Sequence, residues 1–85
     1  MDTAQHYSRN DALDIVFRVD KLPDEQNRQR IESTMQLATG IEHAYFDRFR
    51  PHLLIIGYDP ARINSSRILV LVEQQQLNAK LIVGV

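Results

Sequence analysis

Two oxygen-bearing side chains, Asp24 and Asn27, lie three residues apart where the sequence predicts the start of a helix. Residues at i and i+3 share one side of a helix, so both side chains can point the same way. Their carboxylate and amide oxygens suit hard cations, but Ca²⁺ takes about six to eight such ligands and this pair supplies two. Because an acid in the first turn stabilises the positive end of the helix dipole, we expect Asp24 to stabilise that turn and Asn27 to lie in solvent.

Three histidines are the other conceivable metal ligands. His43 and His52 flank a predicted hairpin, and His6 lies near the N-terminus. Structural zinc takes four protein ligands and catalytic zinc three, and no third ligand is evident near the hairpin. We therefore expect surface histidines, with no bound metal and no cofactor. The alternative is a metal carrier or sensor that uses non-thiolate ligands such as Asp24, His43 and His52.

The sequence contains no arrangement of residues that points to catalysis. Since it has no cysteine, it offers no thiol nucleophile, thiolate metal site or disulfide. Glu42 and His43 are neighbours in a predicted strand, where consecutive side chains point to opposite faces, and no glycine-rich phosphate loop is present. With a net charge of −1, the chain has no excess of positive charge to attract the phosphate backbone of a nucleic acid. We predict a protein without enzymatic activity and without a nucleic-acid partner.

Alternation of apolar and polar residues predicts the first of the strands that would position these side chains, and strand-forming residues bounded by turns predict the others. In the second strand Ala44 and Phe46 share one face and Tyr45 takes the other. Pro51 marks the turn into the third strand, because proline cannot sit in the middle of a sheet. The strands are predicted over residues 13–19, 41–49, 53–58 and 80–85.

Two helices are predicted between the strands. Pro23 suits the first position of the first helix, and Gly40 can adopt the positive φ that ends it. Asn64 is a good N-cap for the second helix. The apolar stripes are Ile31, Met35 and Ala38 in the first helix and Ile68, Leu71 and Val72 in the second.

The order β-α-β-β-α-β predicts an α+β, ferredoxin-like sandwich with a four-stranded antiparallel sheet and both helices on one face. Residues 1–11 are polar and aperiodic, and we predict a flexible tail there and one domain over residues 12–85. The longest apolar run, residues 68–72, is far shorter than the roughly 20 residues that span a bilayer. We therefore expect no membrane insertion and a cytoplasmic location.

Residues 19–27, VDKLPDEQN, join the first strand to the first helix, and Tyr58-Asp59-Pro60 ends the third strand. Over roughly residues 13–85 this frame resembles the heavy-metal-associated domain of copper chaperones, mercury-binding proteins and metal-transporting ATPases. In that family the segment that corresponds to residues 19–27 has the pattern V-x-G-M-x-C-x-x-C. The resemblance therefore places Asp24 and Asn27 at the positions of the family's two cysteines. Soft ions such as Cu(I) prefer thiolates to oxygen ligands. The resemblance therefore implies a copper-chaperone-like fold whose metal site is degenerate.

Apolar residues are predicted on the face of the sheet that the helices leave open. Val16, Leu53 and Ile55 should lie near one another across the two central strands, with Tyr45 and Phe49 beside them on the second strand. Exposed apolar patches larger than scattered single residues mark partner surfaces. We predict that a protein partner or a second copy of the chain binds this face.

These observations together predict a non-enzymatic protein-interaction or regulatory module. The family resemblance implies that such a module could dock to a membrane transporter or to an oligomeric assembly. The metal carrier with Asp, Asn or His ligands is the alternative from a different functional class.

Overall fold

The computed structural model describes residues 12–83, which form four strands and two helices in the order β-α-β-β-α-β. The predicted tail of residues 1–11 lies outside the described residues, as do residues 84 and 85. No helix within the described range is long and apolar enough to cross a membrane. The elements are β1 (Leu13–Val19), α1 (Glu25–Gln36), β2 (Ile41–Phe46), β3 (Leu53–Tyr58), α2 (Ser65–Gln74) and β4 (Ala79–Val83).

The strands form a single antiparallel sheet in the order β2-β3-β1-β4, with β3 and β1 in the centre. β1 pairs with β3 on one side and with β4 on the other, and β2 pairs with β3. Two interleaved β-α-β halves with crossovers of the same hand bring both helices to one face of such a sheet. The predicted ferredoxin-like fold is confirmed.

The core lies between this sheet and the two helices. Ile31 and Met35 of α1 and Ile68 and Val72 of α2 are buried against the strands. Each amphipathic element turns its apolar side to the same interior, which is how a small domain buries enough surface to fold. The strand residues that expose no surface are Ile15, Phe17, Val19, Leu54 and Ile56.

The start of α1 differs from the prediction by two residues. Asp24 is extended, with φ −66° and ψ 169°, and its Oδ1 accepts a hydrogen bond from the N–H of Asn27 at 2.8 Å. A side chain that binds the third N–H of a helix is its N-cap. Pro23 therefore precedes the helix and is not its first residue, whereas the expected stabilising role of Asp24 is confirmed.

The end of α1 also comes earlier than predicted. Leu37 is the C-cap, and Gly40 lies three residues beyond it. Gly40 has φ +95°, a left-handed conformation that glycine adopts without strain. A Cβ at this position would come within 2.8 Å of the Ile63 side chain. Gly40 therefore serves the tight turn into β2 and does not end the helix.

β2 is three residues shorter than predicted because Asp47 starts a turn. Its Oδ2 accepts hydrogen bonds from the N–H groups of Phe49 at 3.1 Å and Arg50 at 2.8 Å. An aspartate that bonds backbone groups two and three residues ahead favours a turn over a strand. Phe49 therefore lies in the β2–β3 turn, not on β2.

Candidate interaction surface

The face of the sheet opposite the core, which we call the open face, consists of three rows of residues. Ile15, Phe17 and Val19 point into the core, so Asp14, Val16 and Arg18 of the same strand point away from it. Residues paired across antiparallel strands share a face. Each outward residue of β1 therefore marks one row across the sheet.

The middle row is apolar. Val16 of β1 and Tyr45 of β2 are both register partners of Ile55 in β3. Val16 and Ile55 are half-buried, and Tyr45 is 43% exposed. Leu53, two residues from Ile55 on the same strand, is also half-buried. The structure thus brings together on the strands four of the five residues that the sequence predicted for this face.

Phe49 extends this apolar region beyond the strands. It is 91% exposed at the turn between β2 and β3. Together with Leu53 and Ile55 it lines an open recess of about 470 Å³, whose polar walls are Asp47 and Arg50. The recess places an exposed aromatic ring at one border of the open face.

The first flanking row carries Asp14, His43 and Gly57. The His43 imidazole lies directly over Gly57, where a Cβ would come within 2.2 Å of the ring. His43 Nε2 is 3.4 Å from Asp14 Oδ1, and the ring centroid is 5.7 Å from that of Tyr45. A glycine inside a strand is a sequence signal for such a close approach, but the sequence does not say which side chain makes it.

The other flanking row is basic. Arg18 of β1 pairs with Leu53 on one side and with Lys80 of β4 on the other. Both basic residues are exposed, and neither forms a salt bridge with a carboxylate of residues 12–83. Like charges directly across a strand pair destabilise a sheet. Within the described residues these two cations nevertheless lie side by side on the open face without an ion pair. Lys80 was not among the residues predicted for this face.

The metal ligands of the alternative hypothesis are kept apart. Asp24 caps α1, and Asn27 Oδ1 accepts a hydrogen bond from Arg30 at 3.3 Å. His52 Nδ1 lies 2.8 Å from the carbonyl oxygen of Val19. Within residues 12–83 no three His, Asp or Glu side chains come together in a group that could hold a metal ion.

The two hairpin histidines also lie at opposite ends of β3. His43 is opposite Gly57, and His52 immediately precedes Leu53. Five residue steps along the strand, from position 52 to position 57, separate them by roughly 16 Å, too far for shared coordination. His6 lies outside the described residues.

In the described part of the chain no charged, amide or histidine side chain is buried, and the one hydroxyl-bearing side chain in the core is that of Tyr58. Active sites place acids, bases and nucleophiles in partly water-excluded clefts that alter their reactivity. Glu42 and His43 do not form an ion pair; the His43 ring lies against Gly57, with Nε2 3.4 Å from Asp14 Oδ1.

Comparison with known proteins identifies the fold. No family model matches the sequence, and no curated protein matches it. A copper binding domain from HMA7, a P-type ATPase, superposes with a TM-score of 0.73 at 14% identity, over 85% of this chain and 96% of that one. A protein from Bacillus anthracis str. Ames, named for copper-ion binding, superposes with a TM-score of 0.70 at 14% identity, over 81% of this chain and 96% of that one.

The chain therefore shares the ferredoxin-like fold of these two copper-binding proteins, and its own sequence contains no cysteine. The predicted resemblance to heavy-metal-associated domains is confirmed at the level of the fold. A fold shared at this identity leaves function to be argued from the residues of the chain itself.

Proposed function

We propose that this chain is a non-enzymatic, cytoplasmic protein-interaction domain that binds its protein partner through the open face of a heavy-metal-associated-like fold. The observation that carries the proposal is the arrangement of that face. An apolar row of Val16, Ile55 and Tyr45 lies between a row that contains Asp14 and a row that contains Arg18 and Lys80.

This arrangement has the anatomy of a protein interface. Interfaces have an apolar centre, in which aromatic residues are enriched, and a polar rim. Tyr45 and Phe49 supply exposed aromatic rings, and the charged rows supply a rim on two sides. In the described part of the chain both helices pack on the other face of the sheet, so neither helix covers the apolar row, and exposed apolar patches of this kind mark partner surfaces.

The metal-carrier alternative requires a set of donors that the described residues do not assemble. Asp24 and His52 are each bonded to a backbone group, and the ring of His43 lies on Gly57. The copper-binding neighbours share the scaffold, but Asp24 and Asn27 are poor ligands for a soft ion. We therefore favour an interaction domain over a metal carrier.

Site-specific photo-crosslinking tests the proposal in the cells that make the protein. A photoreactive phenylalanine analogue replaces Tyr45 on the open face, and a matched variant carries it at Gln29, an exposed position on α1. We expect a discrete adduct from the Tyr45 position, lost when Val16→Asp is added, and no adduct from Gln29. The proposal is wrong if the Tyr45 position gives no adduct, or gives the same adducts as Gln29.

A further inference from the structure

Residues of opposite charge lie towards opposite ends of β1 on the open face. Asp14 and Arg18 are four residues apart on the same side of the strand, so roughly 13 Å separates them. Both are exposed, and the half-buried Val16 lies midway between them. Lys80 adds a second positive charge beside Arg18. Along β1 the face therefore carries Asp14 at one end, Arg18 beside Lys80 at the other and apolar residues in the middle. Asp47, beside Leu53 on β2's side of the sheet, adds a carboxylate at the Arg18 end.

We infer that this face binds the same face of a second copy of the chain, about a two-fold axis that crosses the strands at the level of Val16. This inference rests on the proposed interaction function, and it identifies the protein partner as a second copy of the chain. Rotation about this axis reverses the strand direction and keeps each strand opposite its own counterpart. Asp14 of one copy then faces Arg18 of the other copy, twice in the dimer, as a self-complementary two-fold contact requires.

The same rotation places apolar residues opposite one another. Val16, Ile55 and Tyr45 of the middle row meet the middle row of the second copy. Leu53, which lies in the basic row, meets the position of Gly57, where no side chain projects from the backbone and the His43 ring forms the surface. Two twisted sheets pack face to face with their strands aligned to within about 30°, and this arrangement satisfies that geometry.

A two-fold axis along the strands is the other way to pair the two faces, and the charges disfavour it. That rotation keeps the strand direction, so Arg18 and Lys80 of both copies gather at one end and both Asp14 carboxylates at the other. Juxtaposed like charges oppose association, whereas complementary charges fix the register of an interface. The distribution of charge therefore selects the axis across the strands.

The size of the face sets the expected affinity. Four strands about 4.8 Å apart and about five residues long give a footprint of roughly 20 by 17 Å. Two such faces bury roughly 700 Å² together, which is less than the roughly 1,200 Å² of a stable specific interface, so the complex is expected to be weak and reversible. We expect a dimer with a dissociation constant on the order of 1–100 µM, which concentration can drive in either direction.

Sedimentation velocity of charge-exchange variants tests both the partner and the axis. Wild type is expected to pass from monomer to dimer between about 1 µM and about 1 mM. Arg18→Asp and Asp14→Arg, each alone, give four like charges at the facing positions and are expected to weaken the dimer at least about tenfold. The double variant exchanges the charges, restores complementarity and is expected to regain the wild-type dimer.

Mixing the two single variants distinguishes loss of charge complementarity from misfolding, because misfolded variants would not form a dimer with each other. The two aspartates of the Arg18→Asp variant then face the two arginines of the Asp14→Arg variant, so a one-to-one heterodimer is expected from two proteins that each remain monomeric. The control is Arg67→Asp, the same change of charge at an exposed position of α2, which should leave dimerisation as in wild type.

The outcomes separate this inference from the proposed function. Wild type that stays monomeric throughout the concentration range overturns the inference, and so do variants that fail to recover on double substitution or on mixing. In the photo-crosslinking experiment, an adduct with the mass of two chains supports the second copy. An adduct of another mass overturns the second copy but supports the interaction function, and the absence of an adduct overturns both.

Discussion

At the scale of single residues, the most specific contact on the open face is that of the His43 imidazole with Gly57. His43 covers Gly57 so closely that a Cβ there would come within 2.2 Å of ring atoms. The same ring lies between Asp14 and Tyr45. An aromatic side chain over a strand glycine fills the space that the missing side chain leaves. His43 therefore has a packing role, which accounts for it without a metal.

Gly57→Ala tests this packing role of His43. The new Cβ must displace the His43 ring, and we expect a loss of about 1 kcal/mol in the free energy of unfolding, as for other overpacked sites. In a His43→Ala background the same change should cost nothing, or stabilise by about 0.5 kcal/mol because alanine has less freedom than glycine in the unfolded chain. Urea denaturation of the four proteins gives the coupling energy. An equal cost in both backgrounds would contradict the contact.

Asp24 was a candidate metal ligand, but in the structure it caps a helix. Its carboxylate accepts a hydrogen bond from the N–H of Asn27 at 2.8 Å. An N-cap of this kind contributes about 1 kcal/mol to a helix, which is reason enough for an oxygen-bearing residue at this position. In the folded chain this position is the N-cap of α1.

At the scale of elements, α1 covers the outer edge of β2. Glu32 Oε2 accepts a hydrogen bond from the N–H of Phe46 at 2.8 Å, and Gln36 Nε2 donates to the carbonyl oxygen of Ala44 at 3.4 Å. Unpaired backbone groups on an edge strand invite pairing with another chain. By binding these groups, the helix directs intermolecular contact away from the β2 edge, which is consistent with an interface on the open face.

Glu32→Ala should remove the edge hydrogen bond of β2. Because the Phe46 N–H loses a charged acceptor in a partly buried position, we expect the free energy of unfolding to fall by about 1–2 kcal/mol. Glu32→Gln keeps an acceptor oxygen and should lose less. Gln29→Ala, at an exposed position of the same helix, should stay within about 0.5 kcal/mol of wild type. Thermal or urea unfolding measures all three, and a loss no larger than that of Gln29→Ala would argue against the edge contact.

At the scale of the whole molecule, the sheet separates a face that holds the domain together from a face available to a partner. Ile56 and Ile55 are consecutive residues of β3 and point to opposite faces. Ile56 is fully buried in the core, whereas Ile55 is half-buried in the apolar row. One residue type therefore serves stability at one position and, by our proposal, association at the next.

Alanine at each of these two isoleucines should separate the two roles. Ile56→Ala leaves a cavity in the core, and we expect it to lower the free energy of unfolding by about 3 kcal/mol. Ile55→Ala removes less buried surface and should cost about 1 kcal/mol or less at concentrations where the chain is monomeric. Should Ile56→Ala fail to fold, Ile56→Val against Ile55→Val gives the same contrast at a smaller scale. Equal losses at the two positions would contradict a one-sided core.

Patterns local in the chain determined the elements of this protein. Alternation with period 2 identified β1, and a short apolar run between turn residues identified β3. The N-cap preference of Asn64 identified the start of α2, because all these signals depend on neighbours a few residues away. The order of the elements then left few topologies, so the fold and the apolar row of Val16, Ile55 and Tyr45 could be predicted. The ends of α1 and β2 were predicted less well, since side chains such as Asp47 compete for the same backbone groups.

Only the tertiary structure decided which residues from distant strands lie side by side. The register shift between Ile41 and His43 makes Glu42 an extra residue and turns His43 outward onto Gly57. Lys80 lies beside Arg18 because β4 pairs with β1 in one particular register. Register and bulges are set by packing between segments far apart in the chain. The grouping of the charges, and with it the second copy that we infer, therefore followed from the folded sheet.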